Sequence, residues 1–416
     1  MSVDAVSINH TVLESEKIGN SSFDTAWLIS ALDGNDSLFK AIHEKNKVQN
    51  VKAKTIGAGK GFVSNIYKCT IEFESDHADY EVILKIPGVH ALEGAVGGSE
   101  KDSSFVESVA KVHNLECFFY TDYAAKSGLP TPKIYSAGKC AEGKEGYLLM
   151  ENMIGKGESS CVFEGFSKAQ LYTIVRHLVK LHFAFLTMED QSWQSQFDPK
   201  NGFSEQESVD FCIPMYEKVM KMKPDGLGRK IKPLYEACKS GKFFNYILFE
   251  HRKDYGLPPV LSHGDLWCNN IMWKLDSDGY ITNEVAAIID FQIVHTGSLT
   301  NDLARVIVCC SDAEVRRQYE ADLLKFYYDS LSSLFASAGK EVPFSFDQMN
   351  QAFKISYLSA VVDILWMIPL FCDGEKELGT EALWEARTEK LVLRASLALD
   401  EALKTLENIP KERIAD

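Results

Sequence analysis

One short stretch, Leu261–Trp273, constrains the fold of this chain more than any other part of the sequence. Within it, His263 and Asp265 are followed, after a gap of four residues, by Asn270. Further along the chain, an apolar segment that predicts a strand runs directly into Asp290. The four-residue gap allows a loop to turn, so that the carboxylate and the amide can face different groups.

This spacing, His-x-Asp-x-x-x-x-Asn, is that of a kinase catalytic loop, with Gly264 where protein kinases carry Arg. Phosphoryl transfer requires mainly positioning and charge neutralisation. Asp265 would accept or orient the proton of an attacking hydroxyl. Asn270 and Asp290 would supply the oxygen ligands that Mg²⁺ prefers, and Asp290 resembles the magnesium-binding aspartate of kinases in its place at the end of a strand.

Two simpler interpretations of the same residues exist. Asp265 could cap a helix, and Asn270 could be an ordinary turn residue. The complete spacing and the later acid, Asp290, favour the catalytic interpretation. For His263 the structural role is preferred, as a buried imidazole that holds the loop by hydrogen bonds.

Composition limits the remaining classes of function. The chain has 416 residues, 45% hydrophobic and 25% charged, which is typical of a soluble protein large enough for two lobes. A net charge of −15 argues against nucleic acid as a partner. The ten cysteines form no Cys-x-x-Cys, and Met1–His10 contains no apolar run, so we expect a reduced, cytoplasmic protein. The most apolar stretch, Leu358–Cys372, contains Asp363 and Pro369 and predicts a core helix rather than a membrane span.

A glycine-rich turn interrupts the two strands predicted within Val51–Phe73. Gly57, Gly59 and Gly61 would let backbone amides approach phosphates closely, and Ser64 could donate a further hydrogen bond. The spacing is neither Gly-x-Gly-x-x-Gly nor that of a P-loop. A plain hairpin turn therefore remains an alternative to an ATP-binding loop.

The next strand, Tyr80–Pro87, carries Lys85 within an apolar sequence. This lysine resembles the strand lysine of kinases that holds the α- and β-phosphates. A helix predicted from about Ser103 to Lys126 contains Glu116, which would be the partner of Lys85. The alternatives are a solvated strand lysine and a glutamate on the helix surface, and the order of strand lysine and helix glutamate favours the pair.

Two further strands lead to a segment where an adenine-binding hinge is expected. Glu151 and Met153 lie there, and backbone groups would bind the adenine edge. From Ser167 onward the periodicity is helical. We therefore predict an N-terminal lobe over residues 1–153 and a helical C-terminal lobe over residues 154–416.

The assembled motifs resemble the ecdysteroid kinase-like family, within the group that includes choline kinases and aminoglycoside phosphotransferases. The resemblance covers residues 54–393 and is carried by Lys60–Tyr67, Glu116–Tyr120, His263–Asn270 and Ile289–Gln292. It implies an α+β, protein-kinase-like fold with a small β-rich lobe and a larger helical lobe, and ATP- and Mg-dependent phosphorylation of a small molecule. It also implies that Asp302 steadies the catalytic loop.

A small hydroxylated substrate is expected on independent grounds. Protein kinases place a long activation segment and an Ala-Pro-Glu after the metal aspartate. Here a helix is predicted to begin near Thr300, soon after Asp290, and no Ala-Pro-Glu occurs. Steroid-, choline- and xenobiotic-like alcohols fit this expectation, and no protein partner is indicated. The alternatives are a catalytically silent, nucleotide-binding pseudokinase and a carrier of apolar ligands.

Overall fold

The computed structural model describes residues 15–56, 64–88, 103–372 and 379–414. The chain divides into two units: Met1–Cys117 with Pro132–Asn152, and Phe118–Thr131 with Met153–Asp416. The division differs from the predicted boundary after Met153 in two respects, and the smaller is that Met153 itself belongs to the second unit. Residues 118–131, which fall within the predicted N-terminal lobe, group with the second unit.

The first unit is built on an antiparallel sheet. Its strands are β1 Val48–Ile56, β2 Ser64–Phe73, β3 Tyr80–Pro87, β4 Ile134–Gly138 and β5 Tyr147–Glu151. They lie in the order β1-β2-β3-β5-β4, and each is antiparallel to its neighbour. Its helices are α1 Thr25–Asn35, α2 Ser37–His43 and α3 Ser103–Phe118. The predicted strand over Tyr80–Pro87 is confirmed.

Alternation of apolar residues determines which face of this sheet packs on α1 and α2. The core on this face contains Tyr67, Cys69, Ile71 and Phe73 of β2, Val82, Leu84 and Ile86 of β3, and Leu28, Leu32 and Phe39 of the helices. Successive side chains of a strand point to opposite faces. Lys85, between Leu84 and Ile86, therefore lies on the other face of β3, as its position in the sequence predicts.

Both leading helices begin at aspartates. Asp24 caps α1, and Asp36 caps α2 by accepting a hydrogen bond from the Phe39 backbone N–H at 3.2 Å. Asp36 is 1% exposed and also accepts hydrogen bonds from Lys133 Nζ, at 2.7 Å, and from the Tyr80 hydroxyl. Burial works against its ionisation, but these hydrogen bonds hold the pKa of Asp36 below its ordinary value.

The helix predicted over Ser103–Lys126 is interrupted. After α3 the chain forms a π-helical turn, Phe119–Tyr123, before α4 Ala124–Ser127, and Gly128 ends the run at a φ of 70°. A π-turn accommodates one extra residue in a helix. Periodicity alone does not reveal it, because the apolar positions on either side stay close to helical spacing.

The second unit is mostly helical. Its longer helices are α5 Lys168–Thr187, α7 Glu205–Met222, α12 Asn301–Cys309, α13 Ala313–Ser337, α14 Phe346–Cys372 and α15 Glu381–Leu406. Its shorter α-helices are α6 Trp193–Gln196, α8 Leu227–Lys230, α9 Lys232–Ala237, α10 Gly241–Asn245 and α11 His251–Asp254. A second π-helical turn spans Tyr246–Glu250, and 3₁₀ turns span Pro199–Asn201, Cys268–Asn270 and Lys411–Arg413. An antiparallel sheet in one unit and a mostly helical second unit confirm the predicted α+β class, with a small β-rich unit and a larger helical one.

Short strands in this unit position the predicted catalytic loop. They are β6 Gly157–Ser159, β7 Val260–Ser262, β8 Ile271–Leu275, β9 Ile281–Ile288 and β10 His295–Gly297. Strands β6, β8 and β9 form one antiparallel sheet, and β7 pairs with β10. The loop containing Asp265 thus connects β7 to β8, and Asp290 follows the end of β9.

Among the described residues, one helix, α14, is long and apolar enough to cross a membrane by length and composition alone. In the structure 72% of its most apolar window is buried inside the protein. The helix begins well before the predicted stretch Leu358–Cys372 and continues through Pro369. Asp363, at its centre, pairs with Arg305 of α12. The burial agrees with the core helix that the sequence predicts.

The cap at Asp36 should contribute more to stability than the cap at Asp24. We expect Asp36→Ala to lower the free energy of unfolding by about 2–4 kcal/mol, because it removes a helix cap and leaves Lys133 and Tyr80 without their shared acceptor. Asp24→Ala, which removes only a partly exposed cap, should cost about 1 kcal/mol. Urea denaturation of both variants measures the difference, and equal losses would contradict this account.

Candidate active site

Lys85 and Glu116 form a buried ion pair within the first unit. The Lys85 Nζ atom lies 2.9 and 2.8 Å from the two carboxylate oxygens of Glu116, and the residues are 6% and 1% exposed. β3 supplies the lysine from its face opposite the core, and α3 supplies the glutamate. The predicted pairing is confirmed. The role of this pair in binding the phosphates of a nucleotide stays a prediction.

The burial of two charged groups makes this ion pair energetically significant. Removing two charges from water costs several kcal/mol, which close contact recovers only in part. The contact of both carboxylate oxygens with one ammonium group fixes the position of the lysine end. His113, one turn before Glu116 on α3, adds no charge here, because burial lowers its pKa to about 4.

Of the other residues predicted to bind ATP, only some lie in the part of the chain that the structure describes. Gly57, Gly59 and Gly61 lie outside the described residues. Ser64 is the first residue of β2, where it pairs with Pro87 of β3.

At the predicted hinge, the Glu151 carboxylate accepts a hydrogen bond from the Lys133 backbone N–H at 3.2 Å. The Met153 carbonyl accepts bonds from the backbone N–H groups of Lys156 and Gly157, both at 3.0 Å. These two contacts hold the chain locally, and the proposed binding of adenine by backbone groups stays a prediction.

In the second unit, the side chain of Asp302 binds the backbone at the start of the predicted catalytic loop. Its carboxylate oxygens accept the backbone N–H groups of His263, at 2.8 Å, and Gly264, at 3.0 Å. Asp302 is 1% exposed. Burial raises its pKa to about 6, although the two backbone hydrogen bonds oppose the shift. Its position on α12 therefore ties the loop to a core helix.

His263 holds the loop by its side chain. Its Nδ1 lies 3.2 Å from the backbone N–H of Asp265, and its Nε2 lies 3.0 Å from the carbonyl of Ile289. Since Nδ1 meets a donor and Nε2 an acceptor, the neutral tautomer with the proton on Nε2 fits both contacts. Burial lowers the pKa of His263 to about 4, which keeps it neutral. The histidine links the catalytic loop to the segment just before Asp290.

Gly264 is required by the turn of the loop. Its φ is 83°, and a Cβ at this position would lie 2.4 Å from the carbonyl oxygen of Ile293. An arginine here, as in protein kinases, would meet both the backbone strain and this contact. The glycine is therefore a consequence of how closely the β9–β10 connection approaches the loop.

Asp265 and Asn270 are bonded to one another. Asn270 Nδ2 donates to the backbone carbonyl of Asp265 at 2.8 Å and to its Oδ2 at 2.9 Å. Both partners are acceptors, so the amide nitrogen must face them. Its carbonyl oxygen is consequently the atom that can act as a ligand. The backbone carbonyl of Asn270 accepts a bond from Ile289 N–H at 3.0 Å, joining this loop to the chain that precedes Asp290.

Arg305 is the residue that sequence reasoning missed. It is 7% exposed, and its guanidinium lies 2.5 Å from Asp265 and 2.5 Å from Asp363. Asp363 in turn accepts a hydrogen bond from Trp366 Nε1 at 3.2 Å. A signal existed in the sequence: Arg305 interrupts the apolar part of α12, and Asp363 interrupts the most apolar helix. Charges at such positions usually require partners.

The environment of Asp265 shifts its protonation. Burial raises the pKa of Asp265 to about 6; the positive charge of Arg305 opposes the shift, and the negative charges of Asp290 and Asp363 add to it. A carboxylate in this range is a stronger base than an exposed aspartate and is still ionised at neutral pH.

Asp290 has an unusual backbone. Its φ is 69°, and it is the one non-glycine with a positive φ among the described residues. Aspartate tolerates this region better than most residues do, but the conformation still costs free energy. The strained turn follows β9 and is adjacent to Phe291. The centroid of the Phe291 ring lies 3.7 Å from that of Phe119, on which it stacks, and 4.3 Å from that of His263. Packing on both sides of the Phe291 ring thus holds Asp290 in place.

The oxygen atoms of Asn270 and Asp290 could supply part of a magnesium ligand set. Asn270 and Asp290 offer hard oxygen atoms in neighbouring segments of one unit. Among the described residues, no group of three His, Cys, Asp or Glu side chains could hold a metal ion without further help. Such a pair suits an ion whose other ligands are phosphate oxygens and water, which is how Mg²⁺ commonly binds in phosphotransferases.

Residues 35–400 match the model of the DUF1679 family, described as "Uncharacterized oxidoreductase dhs-27". The chain belongs to the DUF1679 family. One relative, the uncharacterized oxidoreductase dhs-27 of Caenorhabditis elegans, is 26% identical over 364 residues, or 85% of this chain and 43% of that protein. The chain thus spans less than half of this relative, and the oxidoreductase name refers to the longer protein.

A second relative matches over nearly its whole length. The uncharacterized kinase-like protein D1044.1 of Caenorhabditis elegans is 24% identical over 375 residues, covering 88% of this chain and 96% of that protein. Among solved structures, Plasmodium vivax ethanolamine kinase aligns with a TM-score of 0.44 and 12% identity, over 91% of this chain and 92% of that one.

Arg305 should be essential to this DUF1679 protein's stability as well as to its site. We expect Arg305→Gln to lower the free energy of unfolding by about 3 kcal/mol at neutral pH, because two largely buried carboxylates lose their counter-charge. Arg305 lowers the pKa of both acids, so the stability it provides is lost as the pH falls. The difference between wild type and variant should therefore shrink towards pH 5.

Arg317→Gln is the matched control, because Arg317 is half exposed and pairs with Glu401 at the surface. It should cost less than about 1 kcal/mol. Denaturation at several pH values measures both variants. If the two arginines cost the same, the buried ion pairs do not carry the stability assigned to them.

Proposed function

We propose that this protein is an ATP- and Mg-dependent phosphotransferase that phosphorylates a hydroxyl group of a small molecule. One observation carries the proposal. The Asp265 carboxylate is held by Asn270 and Arg305, on a loop tied to Asp302 and His263. An aspartate fixed in this way, partly exposed and with a pKa near 6, is suited to accept a proton from an alcohol.

Each residue has a distinct task in this proposal. Asp265 Oδ1 or Oδ2 orients the acceptor hydroxyl and takes its proton as the oxygen attacks the terminal phosphorus of ATP. The bond from that phosphorus to the bridging oxygen breaks, and ADP leaves. Asn270 and Arg305 keep that carboxylate from rotating away, which preserves the alignment of reacting atoms. Asp302 and His263 act on the loop and make no contact with the substrate.

The nucleotide-binding and metal-binding roles of the remaining residues are further parts of the proposal. In the first unit, Lys85, oriented by Glu116, would bind the α- and β-phosphates. In the second, Asn270 and Asp290 would hold Mg²⁺ by their oxygen atoms. The metal, when bound, neutralises charge on the phosphates and supports their orientation.

The substrate class follows from finer resemblance. The sequence His263–Asn270, with Trp267 after Asp265-Leu266, is similar to the ecdysteroid kinase-like family, and Asp290 is followed within a few residues by β10 and α12. This leaves little chain for a peptide-binding segment, which supports a small steroid-, choline- or xenobiotic-like alcohol. We further propose that the protein acts in the cytoplasm and binds no nucleic acid, as its charge of −15 favours.

A second candidate function rests on the same contacts. Both oxygens of Asp265 already accept charged or polar donors, Arg305 on one and Asn270 on the other. A site locked in this state would describe a pseudokinase that binds nucleotide without turnover. It predicts thermal stabilisation by ATP and Mg²⁺ with no phosphorylated product, whereas the enzyme predicts both.

The kinase proposal predicts a product that depends on Asp265. Incubation of wild type with ATP, Mg²⁺ and a small-molecule extract should yield a new phosphorylated compound, detected by mass spectrometry. Asp265→Asn removes the proton acceptor and should reduce the rate of its formation at least about a hundredfold. Asp278→Asn, on the exposed turn between β8 and β9, should leave it unchanged.

Two results would count against this proposal. An unchanged product in Asp265→Asn would remove that residue from the chemistry. ATP-induced stabilisation of wild type, without product from any extract, would favour the pseudokinase instead.

The rate should also depend on pH in one direction. Because burial raises the pKa of Asp265 to about 6, kcat/KM for the acceptor should be constant near pH 8 and fall about tenfold per pH unit well below pH 6, as the base becomes protonated. Steady-state kinetics from pH 5 to pH 8 test this. A rate that rises as the pH falls would contradict the role of Asp265 as a base.

A further inference from the structure

A cavity lies within the helical unit, apart from the predicted catalytic loop. Its volume is about 670 Å³, which lies in the range of small-molecule sites. Its walls come from the second π-helical turn, α13, the first part of α14, the last part of α15 and residues 408–410. None of the candidate catalytic residues lines it.

The lining combines aromatic rings with carboxylates. Its aromatic residues are Tyr246, Tyr255, Phe353 and Tyr357, and its acids are Asp254, Glu320 and Glu401. Lys354 and Lys404 also line it, but both are exposed residues. Their charges, like that of the exposed Asp254, are screened by solvent, whereas the partly buried Glu320 and Glu401 are screened less.

Two of the three acids already have counter-charges. Asp254 lies 3.1 Å from Arg413. Glu401 lies 2.5 Å from the fully buried Arg316 and 2.9 Å from Arg317. These carboxylates already form ion pairs within the protein and are therefore poor candidates for binding a ligand.

Glu320 is the exception. Its Oε2 atom is buried and has no hydrogen-bond partner among the described residues. Arg316, one turn earlier on α13, directs its NH1 group to Glu401 and Tyr357. Burial raises the pKa of Glu320 to about 7; Arg316 opposes this shift and Glu401 adds to it. A buried acceptor without a donor is costly, and this leaves the Glu320 carboxylate, among the acids of this wall, with hydrogen-bonding capacity for a ligand.

We propose that this cavity is a binding site for a small organic amine, whose N–H group donates to the Glu320 carboxylate while its apolar body packs against Tyr255 and Phe353. A carboxylate beside aromatic rings is the combination that recognises organic cations. Arg413 and Arg316 already lie over the rings of Tyr246 and Tyr357, so the proposal assigns the ligand to Tyr255 and Phe353. The net charge of −15 also favours cations at long range. The site is separate from the proposed phosphoryl transfer and does not depend on it.

Three matched probes test the chemistry of this site. Tryptamine, tryptophol and indole-3-propionate share one ring and differ in carrying a cation, a neutral hydroxyl or an anion. Calorimetric titration of the full chain should show that tryptamine binds at least about tenfold more tightly than tryptophol, because a charge-assisted hydrogen bond is stronger than a neutral one. Indole-3-propionate should be the weakest of the three.

Substitutions then locate the binding. Glu320→Gln keeps the shape of the side chain and should reduce the affinity for tryptamine at least about tenfold, to that for tryptophol. Asp322→Asn, an exposed position on the same helix outside the cavity, should not change it. Asp265→Asn should also leave it unchanged, which separates this site from the carboxylates of the catalytic loop.

Each contrary result overturns the proposal. These are equal binding of tryptamine and tryptophol, preference for the anionic probe, no tryptamine binding at about 1 mM, or wild-type affinity in Glu320→Gln. Loss of binding in Asp265→Asn would place the amine at the catalytic loop instead. Because no turnover is measured, failure of the kinase proposal would not affect these outcomes.

Discussion

The ion pair between Arg305 and Asp265 is the contact on which the geometry of the candidate site depends. Arg305 lies on α12, one turn after Asp302, and reaches the carboxylate of the catalytic loop and Asp363 of α14. Asp302 binds the main chain of the same loop. One short helix therefore fixes both the backbone of this loop and the carboxylate of Asp265, which explains why a loop can keep an aspartate in a defined orientation.

The same arrangement is costly for the stability of the fold, and the cost is concentrated at the candidate site. Asp265, Asp363 and Asp302 are acids in a poorly solvated region, and burial raises the pKa of each. Asp290 adds a strained backbone. Hydrophobic residues could fill this space at lower cost. Strain and unfavourable burial that collect around one loop are typical of functional sites, because the surrounding core must compensate for them.

Much of the site could be predicted because its members are close in sequence or belong to regular elements. Asp265 and Asn270 share one loop, and strand alternation placed Lys85 on the face opposite the core. The pairing with Glu116 followed from the order of strand and helix. In contrast, the bond between Arg305 and Asp363 joins two helices far apart in the chain, and the π-helical turn after α3 adds only one residue to a helical pattern. The charges within two apolar helices indicate that partners exist, but periodicity identifies neither the partners nor the extra residue.

The sequence by itself determined the identity and order of the chemical groups, and the class of fold that could carry them, because periodicity and loop spacing are local properties. Only the tertiary structure decided which charges meet, how far each pKa moves, and why Gly264 and not a larger residue stands in the loop. Those properties depend on burial and on contacts between distant segments, such as the approach of the Ile293 carbonyl to Gly264. Long-range packing supplies them, and residue type alone does not.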